Sequence, residues 1–278
     1  MTRATTSLAS SLLLLLLIHS SAIGQTVDPA EFEKVLFPVV IHWLSPVEGA
    51  HGSSWMSDVR VVNAHPTEPV WLSGAYGCFM CRTRIPVPPG ITFTIMPNSG
   101  GPIPGPGSFL HVERGKVDHL AFGLRIRDLN GEERSWGAEV PVIREREFRS
   151  DRVNLMNVPL APLYRVHLRV YSLEPIEGAE VLVRVYAQPE SEGVIMGGNN
   201  LEPDEVLGET TLTLMTANPS IYADLRPGFA ELTDLPTGGY SGSSVRVELV
   251  PMDPDLRIWG FISVTNNETN DFTVVSPH

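Results

Sequence analysis

The chain's only two cysteines, Cys78 and Cys81, stand in a Cys-Phe-Met-Cys run. That spacing suits a redox dithiol, half of a zinc site or a short local disulfide. A thioredoxin-like dithiol would open a helix after a strand, whereas Ile85, Val87 and the turn Pro88-Pro89-Gly90 follow here. A haem attachment would place His where Arg82 stands, and a four-cysteine zinc site lacks its second pair. In an oxidising compartment the economical expectation is a disulfide between Cys78 and Cys81 that stiffens a turn. The small loop it closes implies a modest entropic contribution.

The other polar candidates are scattered. His111, Asp118 and His119 flank a turn at residues 113–116 and form the best metal or acid–base group in the sequence, the plain alternative being surface residues beside a hairpin. Asp253 and Asp255 share a second turn, and Asp128, Asn130 and Glu132 a third. Calcium needs several converging oxygens, so it is the one cofactor these turns raise; Asx turns account for the same residues without an ion. A serine hydrolase has no G-x-S-x-G here, since Ser108 lies in GPGSF and Ser241 in YSGSS. Paired carboxylates for glycoside hydrolysis depend on spatial separation rather than on spacing along the chain. Among the aromatics, Trp55 in GSSWMS and Trp136 in RSWGAE adjoin Gly and Ser, so an indole at either place could stack on a sugar or dock on a protein, or else plug the end of a sandwich.

These residues need a frame, and the whole-chain properties limit it. The chain has 278 residues, enough for one large domain or two ordinary ones. Its formal charge is -12 with no basic block, which argues against nucleic acid as a partner. Near the N-terminus Arg3 precedes the apolar run from Leu12 to Ile18, followed by Ser20, Ser21 and Ala22-Ile23-Gly24. This is the pattern of a cleaved signal peptide over residues 1–24. The apolar run is too short for a membrane span, and none follows it, so a secreted protein, extracellular or periplasmic, is expected.

Period-2 alternation recurs along the rest. Val166, Leu168 and Val170 alternate with Arg165, His167 and Arg169, which predicts one packed face and one wet face. Val181, Val183 and Val185 follow, and sequence order predicts that these two segments pair in one sheet. A hairpin is likewise predicted between residues 58–63 and 70–72, and strands at 35–43, 91–96, 109–112, 119–127, 207–215, 229–232, 245–250, 256–264 and 272–275. Residues 98–107 read as a Pro-restricted loop, and Asn130-Gly131 as a tight turn. No long segment carries a 3.6-residue period, so the fold class is all-β. Residues 35–150 and 151–278 read as two β-sandwich units, with a single jelly-roll or barrel as the alternative. The strand at 55–63 and that at 164–170 hint at an internal duplication.

The segments FPVVIHWLSPVEGAHGSSWMSDVRVVNAHPTEPVWL and RVNLMNVPLAPLYRVHLRVYSLEPIEGAEVLVRVY, with the ending LRIWGFISVTNNETNDFTVVSP, resemble secreted bacterial proteins built of tandem immunoglobulin-like β-sandwiches. The corresponding positions are Gly49, Gly52, Trp55, Asp58, Val59, Val61 and Asn63, with Asn266 and Thr269 near the end. The second unit departs from the pattern, with Asn157-Val158-Pro159 and Tyr164 in place of the Gly-rich loop and Asp. The resemblance covers about residues 35–275 and implies an exported module without an established catalytic role, so it transfers no active site. The functional expectation is a non-catalytic binding or structural module that contacts an extracellular protein or polysaccharide. The alternative is a secreted hydrolase using paired acids or a His/acid metal site.

Overall fold

The computed structural model describes residues 28, 30–41, 46–49, 52–73, 84–94, 107–131, 136–160, 162–188, 205–215 and 226–277. Antiparallel strands dominate. The first half carries β1 (Phe32–Phe37), β2 (Val47–Glu48), β3 (Ser54–Asn63), β4 (Val70–Ser73), β5 (Arg84–Val87), β6 (Thr92–Thr94), β7 (Ser108–Glu113), β8 (Leu120–Asp128), β9 (Ala138–Glu139) and β10 (Ile143–Arg144). The second carries β11 (Val153–Pro159), β12 (Tyr164–Ser172), β13 (Glu180–Ala187), β14 (Val206–Thr213), β15 (Gly228–Leu232), β16 (Ser244–Pro251), β17 (Ile258–Asn266) and β18 (Phe272–Val275). They form four sheets, β10-β1-β7-β4-β5, β2-β3-β8-β9 with β6 also on β3, β11-β16-β13-β14, and β15-β12-β17-β18. The all-β, sandwich-like expectation agrees with this. The expected signal segment and both cysteines lie outside the described residues.

The two halves repeat one plan. Setting β2 and β10 aside, β1-β7-β4-β5 corresponds strand for strand to β11-β16-β13-β14, and β6-β3-β8-β9 to β15-β12-β17-β18. The register repeats too: β3 and β8 pair from Trp55↔Asp128 to Asn63↔Leu120, and β12 and β17 from Tyr164↔Asn266 to Ser172↔Ile258. At the turns that follow, Asp128 Oδ1 accepts from the Asn130 N–H at 3.1 Å, and Asn266 Oδ1 from the Glu268 N–H at 2.8 Å. The segments that hinted at duplication are β3 and β12 themselves.

Several sequence expectations require correction. The strands β12 and β13 do not pair: they lie in different sheets, because the connection at 173–179 arches from one layer to the other. Two amphipathic strands can satisfy an apolar face by stacking as well as by edge pairing, and alternation does not distinguish the two. The predicted hairpin between β3 and β4 fails for the same reason. Its connection is clasped by Asn63, fully buried, whose Nδ2 donates to the carbonyls of Glu68 at 2.9 Å and Val87 at 2.7 Å. Those bonds hold the chain as it crosses between sheets. The strand β11 was not anticipated. The strand predicted at 35–43 ends at Phe37, immediately before Pro38.

Alternating positions supply each interior. Val59, Val61, Leu124 and Ile126 are buried in the first half, and their topological counterparts Leu168, Val170, Ile262 and Val264 in the second. The cores are not separate, because Tyr171, Leu173, Phe229, Trp259 and Phe261 of the second half join the cluster of the first. The junction is tied as well. Phe148 packs on Phe109 with centroids 6.1 Å apart, and Arg149 exchanges two 2.8 Å backbone hydrogen bonds with Ile258.

Candidate functional site: a cleft between the two halves

The site begins with the alternation of β12. Its odd-numbered side chains, expected to be wet, face the first half. Cross-strand pairing sets Tyr171 beside Trp259, Arg169 beside Phe261, His167 beside Ser263 and Arg165 beside Thr265. One end of this sheet face is therefore aromatic and the other polar. The aromatic end is sealed: the Tyr171 and Phe261 rings stack at 6.3 Å and 3°, and Phe229 lies 5.4 Å from Tyr171. The Tyr171 hydroxyl donates to the Pro38 carbonyl, and burial pushes that phenol's pKa up. Lys34 Nζ donates to the Leu173 carbonyl at 3.1 Å.

The polar end stays open as a cleft of about 700 Å³, within the roughly 300–1,000 Å³ usual for ligand pockets. Arg165, His167, Arg169, Ser263 and Thr265 supply its polar wall. Val39, Ile41, Val47, Trp55 and Ile126 of the first half form the opposite, apolar wall, with Phe272 of β18 alongside Trp55. Each wall is built locally. After Pro38 the chain leaves β1 and docks on β3 through Ser57, whose hydroxyl donates to the Val39 carbonyl at 3.1 Å and accepts the Ile41 N–H at 2.9 Å. Trp55 is oriented by its Nε1–H bond to Ser53 Oγ at 2.8 Å and by Phe272, 5.9 Å away between ring centroids.

Charge in the cleft is uneven. His167 Nε2 lies 3.0 Å from Glu231 Oε2. Burial first, and then the Arg169 guanidinium, hold the His167 pKa below the ordinary imidazole range, with Glu231 partly opposing them. Arg169 sits 5.9 Å over the Phe261 ring and donates to Ser263 Oγ at 3.4 Å. Arg165 Nη1 and Arg169 Nε are buried with no hydrogen-bond partner among the described residues. Of the described residues lining the cleft, Asp234 is the one carboxylate.

Of the sequence candidates among the described residues, only Trp55 lines this cleft. Trp136 is 82% exposed, just ahead of β9. His111 is buried on β7, and His119 lies edge-on to His65 at 4.6 Å. Asp118 pairs with Arg144, which holds its carboxyl below the usual range. Asp253 Oδ1 accepts the Asp255 N–H at 2.9 Å in an Asx turn. Among the described residues no group of three or more His, Cys, Asp or Glu side chains is placed to hold a metal ion. Cys78 and Cys81 lie outside them.

Sequence reasoning missed Arg165, His167, Arg169 and Phe272 as cleft residues. A signal was present: the face carrying Arg165, His167 and Arg169 continues into Tyr171, and a wet face has no need of a buried aromatic. No helix among the described residues is long and apolar enough to cross a membrane. Compared with known protein families, with curated proteins and with solved structures, the chain matches none.

Proposed function

We propose that the chain is an exported, non-catalytic binding module of two tandem immunoglobulin-like sandwiches, and that it holds an extracellular protein or polysaccharide in the cleft between them. The observation that carries this reading is a cleft whose two walls come from different halves, locked by the shared aromatic cluster around Tyr171. A preformed concave site with an apolar wall and a few placed polar groups favours binding without an ordering cost. A glycosidase mechanism calls for two carboxylates across a bond; at this cleft Asp234 lies in the lining and Glu231 is engaged with His167 at 3.0 Å.

The test is quantitative sedimentation of residues 25–278 with insoluble envelope polysaccharide and with surface protein from the source cells, each with and without EDTA. Saturable binding to one fraction, weakened by Trp55→Leu in a protein that still melts cooperatively, is the expected result. Absence of binding to both fractions overturns the module reading. Loss of binding in EDTA would bring a metal into the site.

A further inference from the structure

We infer that the cleft recognises a carboxylate-bearing sugar, so that the ligand is an acidic polysaccharide; this rests on the binding-module reading and names the ligand of the same site. Three observations converge on it. The first is charge: in a chain of formal charge -12, one sheet face presents the guanidinium groups of Arg165 and Arg169 on either side of His167, with Glu231 engaged by His167 at 3.0 Å and Asp234 the sole carboxylate among the described lining residues. The second is incomplete pairing. Arg165 Nη1 and Arg169 Nε are removed from water without a hydrogen-bond partner among the described residues. A buried donor left unmade is costly, and a carboxylate is the acceptor that matches a guanidinium best. The third is the facing wall. Trp55, held by Ser53 and flanked by Phe272, offers an aromatic surface across from the guanidinium groups.

A uronic acid ring meets both walls at once. Its C–H face packs on an aromatic ring, its carboxylate reaches Arg165, and its hydroxyls find Thr233, Thr237, Ser263 and Thr265. An acidic peptide could supply the carboxylate, but it lacks a rigid ring dense in hydroxyls to match the Ser and Thr lining. Since β12 rises about 3.3 Å per residue, Arg165 and Arg169 lie roughly 13 Å apart along the strand. That distance suits charges repeated along a polymer better than a single small anion.

The experiment is calorimetric titration of residues 25–278 at low salt with α-1,4-linked hexagalacturonate, with its carboxyl-reduced neutral counterpart, and with hexaglutamate. Hexagalacturonate is expected to bind saturably and the reduced sugar at least about tenfold more weakly. Arg165→Gln should reduce affinity by about 10- to 100-fold, the range of one charge-assisted hydrogen bond. Arg152→Gln, outside the cleft, should leave it unchanged, and thermal melts of both variants check folding. Equal binding of acidic and reduced sugars overturns carboxylate recognition while the module reading stands. Equal or tighter binding of hexaglutamate overturns the sugar class. If none of the three binds although an envelope fraction sediments the protein, the acidic-sugar inference alone falls. If no envelope fraction binds either, the module reading falls with it.

Discussion

Asn63 donates to the backbone carbonyls of Glu68 and Val87, and its own Oδ1 accepts the His65 N–H at 2.8 Å. Removing the buried amide deletes these three hydrogen bonds, so Asn63→Ala is expected to lower unfolding free energy by about 1–3 kcal/mol in urea titration; an unchanged midpoint would refute the clasp. His167 gives a pH-dependent counterpart. Its native pKa lies below the ordinary value, so the unfolded chain binds the proton more readily. Stability from this group is complete above about pH 6.5 and declines as pH falls below that value. His167→Gln should flatten that part of a stability profile between about pH 7.5 and 5.5. Trp55 was legible as a candidate because small neighbours leave an indole accessible. Arg165 was not, since a guanidinium in an alternating strand reads as solvated until another surface closes over it.

At the scale of elements, alternation located the strands well, including β8, β12, β16 and β17, because burial on one face imposes a period of two whatever the topology. It left the pairing undetermined. An arch and a hairpin need the same turn residues, and only the clasp of Asn63 or the span of 173–179 selects the arch. Glycine positions carry more specific information. A Cβ on Gly49 would overlap the Ser53 hydroxyl and the Trp55 indole nitrogen, so this glycine allows the loop to seat the indole. Gly49→Ala is expected to shift tryptophan emission and to weaken ligand binding more than it lowers the melting temperature. An unaltered emission spectrum would show that the loop yields elsewhere. That is the physical content of a Gly-rich loop running into an aromatic, a pattern the sequence displayed without its reason.

For the whole molecule, the outer face of the β15-β12-β17-β18 sheet belongs to the first half's core at one end and to the cleft at the other. Calorimetry is therefore expected to give one cooperative transition for both halves, rather than two. Residues 151–278 expressed alone would expose Tyr171, Phe229, Trp259 and Phe261 together, and an apolar patch of that kind favours self-association; a monodisperse monomer in sedimentation velocity would refute this. The join between the halves also bears on lifetime outside a cell. Chains of linked units are usually cut where a supple, exposed connector gives a protease access to the backbone. Here Phe148 is buried and Arg149 is stitched to Ile258 on both of its backbone groups. Digestion should therefore nick surface loops and leave the two halves associated, so that damage to the chain need not release its grip on whatever it holds.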